Sequence, residues 1–171
     1  MLKYIKNKNF PIDGIEFIDF TPTITDYKCF NHTINSLKKL VDTEVDYIIA
    51  PDARGFIWAS ALALKLKVPM IPLRKEGKLP KENVSYTVNY KTEYSNTTLE
   101  IPNIDLKNKK CLFVDDVYAT GGTYYASEEL VKKSGGIMVG GIVLYNVLID
   151  DNKNIKYLIN RNNIWYNKSN R

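Results

Sequence analysis

Residues 114–123, V-D-D-V-Y-A-T-G-G-T, constrain this chain more than any other stretch. The apolar run 111–114 stops at two adjacent carboxylates, Asp115 and Asp116. A loop of small residues follows at once (Ala119, Thr120, Gly121, Gly122 and Thr123), and residues 124–133 then read as a helix. The pattern is a strand, a glycine loop and a helix start. Glycines let backbone N–H groups converge, and a helix N-terminus adds its positive dipole end, so such a loop cradles a phosphate. Carboxylates repel phosphate, so the acidic pair faces another part of the same ligand. Sugar hydroxyls donate hydrogen bonds to carboxylates, and a ribose bearing a 5′-phosphate satisfies both halves of the motif. The chain has no G-x-x-x-x-G-K-[ST] and no G-x-G-x-x-G after a strand, which sets aside the Walker and dinucleotide loops.

The surrounding pattern predicts an α/β fold. Residues 46–50 and 69–73 read as short strands, 55–66 as a helix between them, and 111–114 and 137–147 as core strands. Strands alternating with helices imply a central, mostly parallel sheet flanked by helices. Residues 25–41 carry Phe30, Ile34, Leu37, Leu40 and Val41 near helical spacing, with Thr25 or Asp26 as the start signal. Residues 2–6 are expected to form a short helix, and 10–19 a Pro/Gly loop running into an alternating segment. In 82–101, Tyr, Thr, Val and Asn alternate without a helical period, which predicts a β-hairpin excursion. A last strand is expected around Ile164, Trp165 and Tyr166. No repeat or linker interrupts the 171 residues, which read as a single domain over 1–171.

Several classes of function are excluded at this level. No apolar run approaches the roughly 20 residues of a membrane span, and the N-terminus lacks a signal-peptide core. A cytoplasmic location without membrane association is therefore expected. Cys29 and Cys111 lie far apart and read as reduced, packed residues. The single histidine, His32, has no Cys or His at ligand spacing, so no protein metal site and no triad hydrolase are expected. The net charge of +5 is scattered, without the basic stripe of a nucleic-acid binder.

Two further loops follow expected strand ends. P-D-A-R-G at 51–55 repeats the strand–loop–helix geometry and brings Arg54. R-K-E-G-K-L-P at 74–80 sets Arg74, Lys75 and Lys78 around a glycine. Three cations in five residues match a pyrophosphate, which Arg binds bidentately and Lys as a point charge.

The motif D-D-V-Y-A-T-G-G-T resembles the signature with which type I phosphoribosyltransferases bind 5-phosphoribosyl 1-diphosphate (PRPP). F-P-x-x-G-I-x-F-x-D, D-A-R-G-F, R-K-x-G-K-L-P and E-Y-x(4)-L-E-I stand around it in the order that resembles the adenine phosphoribosyltransferases, from about Phe10 to about Val147. The resemblance implies the type I phosphoribosyltransferase fold, with 82–101 as a β-hairpin hood. It implies transfer of the phosphoribosyl group of PRPP to adenine, giving AMP and pyrophosphate, with Mg²⁺ carried mainly by PRPP and a homodimeric assembly. Asp115 and Asp116 would hold the ribose hydroxyls, and Ala119, Thr120, Gly121, Gly122 and Thr123 the 5′-phosphate. Arg54, Arg74, Lys75 and Lys78 would hold pyrophosphate. Phe17 and Val117 would sandwich adenine, with backbone groups of Glu16 and Ile18 reading its edge. Glu93 would be the acid/base, and Tyr94 would close with it over the site.

The chain departs from that pattern in places. The hood reads Y-K-T-E-Y where Y-x-L-E-Y is usual, Tyr118 replaces a leucine, Pro102 follows L-E-I, and Glu16 sets a carboxylate beside the base-reading position. Two rival readings stay open at this point: a phosphoribosyltransferase for hypoxanthine, guanine or xanthine, and a PRPP-sensing regulator that catalyses nothing.

Overall fold

The structure is a computed structural model that describes residues 2–10, 13–14, 16–91, 96–147 and 154–161. In chain order the elements are β1 (Ile5–Lys8), β2 (Glu16–Asp19), α1 (Thr21–Ile24), α2 (Tyr27–Leu40), β3 (Tyr47–Pro51), α3 (Arg54–Leu66), β4 (Met70–Lys75), β5 (Val84–Lys91), β6 (Asn96–Pro102), β7 (Lys110–Tyr118), α4 (Gly122–Lys133), β8 (Ile137–Asn146) and β9 (Ile155–Asn160).

Seven strands form one sheet in the order β5-β6-β4-β3-β7-β8-β9. Strands β4, β3, β7, β8 and β9 run parallel. The β5–β6 hairpin is antiparallel and joins the edge of β4 through Arg74↔Glu100 and Lys75↔Leu99. The alternation of side chains along a strand divides the core into two layers. Ile48 of β3 with Leu112 and Val114 of β7 pack towards Leu37 of α2 and Trp58 and Leu62 of α3. Ile49 and Cys111 point the other way, with Leu130 and Val131 of α4 and Leu99 of the hairpin. Burial on both faces explains why these strands read as continuous apolar runs. Helix α2 starts where Asp26 accepts the Cys29 N–H at 3.1 Å, one of the two expected start signals. Cys29 and Cys111 are buried and unbridged. Among the described residues, no helix is long and apolar enough to cross a membrane.

Two expectations change. Residues 2–6 do not form a helix: Ile5–Lys8 is a strand that pairs antiparallel with β2, Ile5 opposite Asp19 and Lys8 opposite Glu16. One helical turn pays the nucleation cost for a single hydrogen bond, whereas a partner strand satisfies every second backbone group of a short segment. The strand begun by Cys111 does not end at Val114. It runs through both carboxylates to Tyr118, because β8 continues alongside and pairs Asp115 with Val143 and Tyr118 with Asn146. The last described strand is Ile155–Asn160, carried by parallel pairing to β8. Ile164, Trp165 and Tyr166 lie outside the described residues.

Candidate active site

From β3 the chain crosses to β4 on one side of the sheet, while β7 lies on the other, so a crevice opens at the carboxyl ends of β3 and β7. A cleft of about 510 Å³ occupies it, lined by Asp52, Arg54, Lys75, Asp115, Asp116, the 119–123 loop and, from the hairpin, Tyr90 and Thr97. The loop ends at the N-terminus of α4. Gly121 caps that helix with φ +81°, and a Cβ there would stand 2.7 Å from the Tyr118 hydroxyl oxygen. Backbone conformation and space both require glycine at this point.

Asp116 is buried, and Arg54 Nε donates to its Oδ2 at 2.6 Å. The Arg54 guanidinium also lies 4.6 Å from the centre of the Phe17 ring. Burial raises the Asp116 carboxyl above the ordinary range, and the Arg54 charge opposes the rise. Asp115 is pushed well above that range, by burial first and by the Asp116 charge second. Its Oδ1 accepts the Asp116 N–H at 2.8 Å. Helix α3 can approach this carboxylate because Gly55 has no side chain.

The basic turn after β4 divides. Lys75 lines the cleft. Arg74 donates through Nε to Asp52 Oδ2 at 3.0 Å, with its guanidinium 5.8 Å from the Phe56 ring. Lys78 is exposed, away from the cleft wall, and its N–H donates to the Lys75 carbonyl at 3.1 Å. The Asp52–Ala53 peptide between β3 and Arg54 is cis.

A second cavity of about 210 Å³ adjoins the first through Arg54, Val117 and Ala119, which line both. Phe17, Val117, Glu16 and Ile18, the residues that the resemblance assigns to the base, all line it. Lys6 Nζ stands 2.7 Å from Glu16 Oε1 and donates to the Tyr145 hydroxyl at 3.1 Å. The unexpected carboxylate is thus paired by the strand that was expected to be a helix. Glu93 and Tyr94 lie outside the described residues.

Sequence reasoning missed Asp52, Tyr90, Tyr145 and Arg161. Asp52 reads locally as a helix cap, yet it holds Arg74. Tyr90 belongs to an alternating strand whose register no local signal supplies. Its hydroxyl bonds Thr123, and burial raises its pKa, so the phenol resists ionisation. Tyr145 and Arg161 line the smaller cavity from β8 and from the residue after β9. Only sheet order brings those two near Phe17.

A family model described as a phosphoribosyl transferase domain matches residues 28–168. The adenine phosphoribosyltransferase of Malacoplasma penetrans is 43% identical over 143 residues, 82% of this chain and 82% of that one. The crystal structure of adenine phosphoribosyltransferase from Thermoanaerobacter pseudethanolicus matches with a TM-score of 0.85 at 39% identity, over 92% of this chain and 95% of that one. The Saccharomyces cerevisiae enzyme of the same name was solved with D-2,5-dideoxy-2,5-imino-altritol 1,6-bisphosphate and adenine. It matches with a TM-score of 0.77 at 32% identity, over 84% of each chain.

Proposed function

Because the chain belongs to the phosphoribosyltransferases, among the adenine phosphoribosyltransferases, and joins adenine to the phosphoribosyl group of PRPP, we propose how its own residues divide that work. The observation that carries the assignment is the meeting of two cavities at Arg54, Val117 and Ala119. One holds the acidic pair and the phosphate loop; the other holds Phe17. A phosphoribosyl group in the first presents its anomeric carbon to a base in the second.

In the proposed arrangement Asp115 and Asp116 accept from the ribose hydroxyls. The 119–123 loop and the N-terminus of α4 hold the 5′-phosphate. Adenine lies between Phe17 and Val117, its edge read by backbone groups of Glu16 and Ile18. The bond from adenine N9 to the anomeric carbon forms as the bond from that carbon to pyrophosphate breaks. Positive charge builds on the ribose ring as in glycosyl transfer. Lys75 faces the leaving pyrophosphate, and Arg54, Arg74 and Lys78 complete its cationic surround. Glu93 manages the proton of adenine, and with Tyr94 in the hood it excludes water.

Among the described residues, no three His, Cys, Asp or Glu side chains converge as a metal cage. The Asp115 and Asp116 carboxylates that line the cleft are hard oxygen donors, which suit an ion bound mainly by substrate oxygens with one or two carboxylates. Mg²⁺ carried on PRPP would supply charge neutralisation at the pyrophosphate. The proposed assembly is a cytoplasmic homodimer, in keeping with the family resemblance and with the exposed apolar pair Ile57 and Leu64, seven residues apart on α3. Sedimentation velocity reads the assembly.

A chromatographic assay with PRPP, Mg²⁺ and each of adenine, hypoxanthine, guanine and xanthine tests the base pocket. AMP from adenine alone is the expected result. Turnover of a 6-oxopurine would overturn the pocket assignment. PRPP binding without any product would overturn catalysis and favour a sensing role.

A further inference from the structure

Glu100 is a buried carboxylate, 6% exposed, at the root of the hood, and the chemistry described above does not use it. It lies on β6 directly across the ladder from Arg74. Its Oε1 accepts the backbone N–H of Gly77 at 3.1 Å. Gly77 is the glycine of the basic turn, with φ +73°. One residue earlier, the Glu76 N–H donates to the Thr98 carbonyl, also on β6, at 3.2 Å. The turn carrying Lys75 and Lys78 is therefore fastened to the hood strand by two successive hydrogen bonds. One of them depends on a side chain. The other oxygen, Oε2, is shut away from solvent with no hydrogen-bond partner among the described residues.

A sealed carboxylate with one oxygen unpaired is destabilising, and an apolar side chain of similar size would pack there at lower cost. The bond to Gly77 is what Glu100 does that such a side chain would not. We propose that Glu100 is a positioning residue that ties the hood hairpin to the basic turn, so that the turn keeps its pyrophosphate-binding form. This rests on the proposal that Lys75 faces pyrophosphate, with Lys78 on the same turn completing the cationic surround. It makes the bond between Glu100 and Gly77 a determinant of PRPP affinity and leaves the adenine pocket, on the far side of β7, unaffected.

The test compares Glu100→Leu with Glu100→Gln in steady-state kinetics and thermal unfolding. Leu removes the acceptor and the unpaired buried oxygen together. The expected result is a melting temperature at or above that of the wild type, a KM for PRPP raised about tenfold, and a KM for adenine unchanged within about twofold. Gln keeps an acceptor oxygen and should restore the KM for PRPP to near the wild-type value. An unchanged KM for PRPP in the Leu variant would overturn the proposal, as would equal rises for both substrates or a Gln variant no better than Leu. Amide exchange at Gly77 in the unliganded wild-type protein reads the bond without any substitution. Protection is expected there, and rapid exchange would overturn the proposal even where the Leu variant fails to fold. Absence of AMP formation by the wild type would instead refute the proposed function, with the Gly77 exchange still reporting on Glu100.

Discussion

Gly55 tests how tightly helix α3 is fitted against the acidic pair. It is the second residue of α3, and a Cβ added there would stand 3.0 Å from Asp115 Oδ1, 3.0 Å from Pro51 Cδ and 3.2 Å from the Val114 carbonyl oxygen. Two of these neighbours cannot yield: a proline ring at the end of β3, and a backbone carbonyl inside β7. The third is a carboxylate whose Oδ1 is already held by the Asp116 N–H at 2.8 Å. Two effects oppose each other in Gly55→Ala. The gain in helix propensity is at most about 1 kcal/mol. Overpacking against neighbours that do not move costs about 1–3 kcal/mol. The crowding wins by about 1 kcal/mol, which for a chain of this size lowers the melting temperature by about 2–4 °C. Relief comes mainly from displacing Asp115, so the KM for PRPP should also rise, by up to about tenfold for 1.4 kcal/mol. Calorimetry gives the first quantity, and initial rates with each substrate varied in turn give the second. A melting temperature at or above the wild-type value, together with an unchanged KM for PRPP, would refute both the crowding argument and the ribose role of Asp115.

Asp115 itself gives a pH-dependent prediction. Burial and the Asp116 charge raise its carboxyl well above the ordinary range near 3.8. A raised folded-state value means its contribution is fully present below that range and is lost as pH rises through the folded value. Asp115→Asn should therefore melt above the wild type at pH 8, with the gap closing towards pH 4, while binding PRPP more weakly; a gap independent of pH would refute this account. Glu93→Gln should lower turnover far more than it weakens PRPP binding, and equal losses in single-turnover and binding measurements would remove its acid/base role. Burial pushes the Cys111 thiol up to about 12, so a thiol reagent at pH 8 should label it no faster than the protein unfolds. Immediate labelling of the Cys111 peptide, read by mass spectrometry, would show that the site is open.

The phosphate-loop side of the site was legible because its chemistry is local. A strand end, two carboxylates, glycines and a helix start are contiguous, and steric and dipole arguments act over those few residues. The cationic side was legible by composition but not by geometry. Arg74, Lys75 and Lys78 read as one cluster, yet Asp52 engages Arg74, Lys75 faces the cleft and Lys78 stands off on the turn. That division depends on where β3 places Asp52 relative to β4, a contact across 22 positions of sequence. The short N-terminal strand was illegible for a similar reason. Residues 5–8 have no strand signal of their own until β2 supplies a partner.

The sequence by itself determined the strand and helix alternation from α2 to β8 that builds a parallel sheet, and the loops whose composition suits a phosphorylated sugar and a pyrophosphate. Each of these follows from neighbours a few residues apart. Only the tertiary structure decided which of those groups meet. Sheet order sets Arg54 between Asp116 and Phe17, fastens the basic turn to the hood through Glu100, and pairs Glu16 with Lys6 beside Tyr145. Side chains from strands distant in sequence face each other only after the core has closed. The partner of each buried charge is then set by packing, because a charge taken out of water must find its counter-group among whatever the fold brings near.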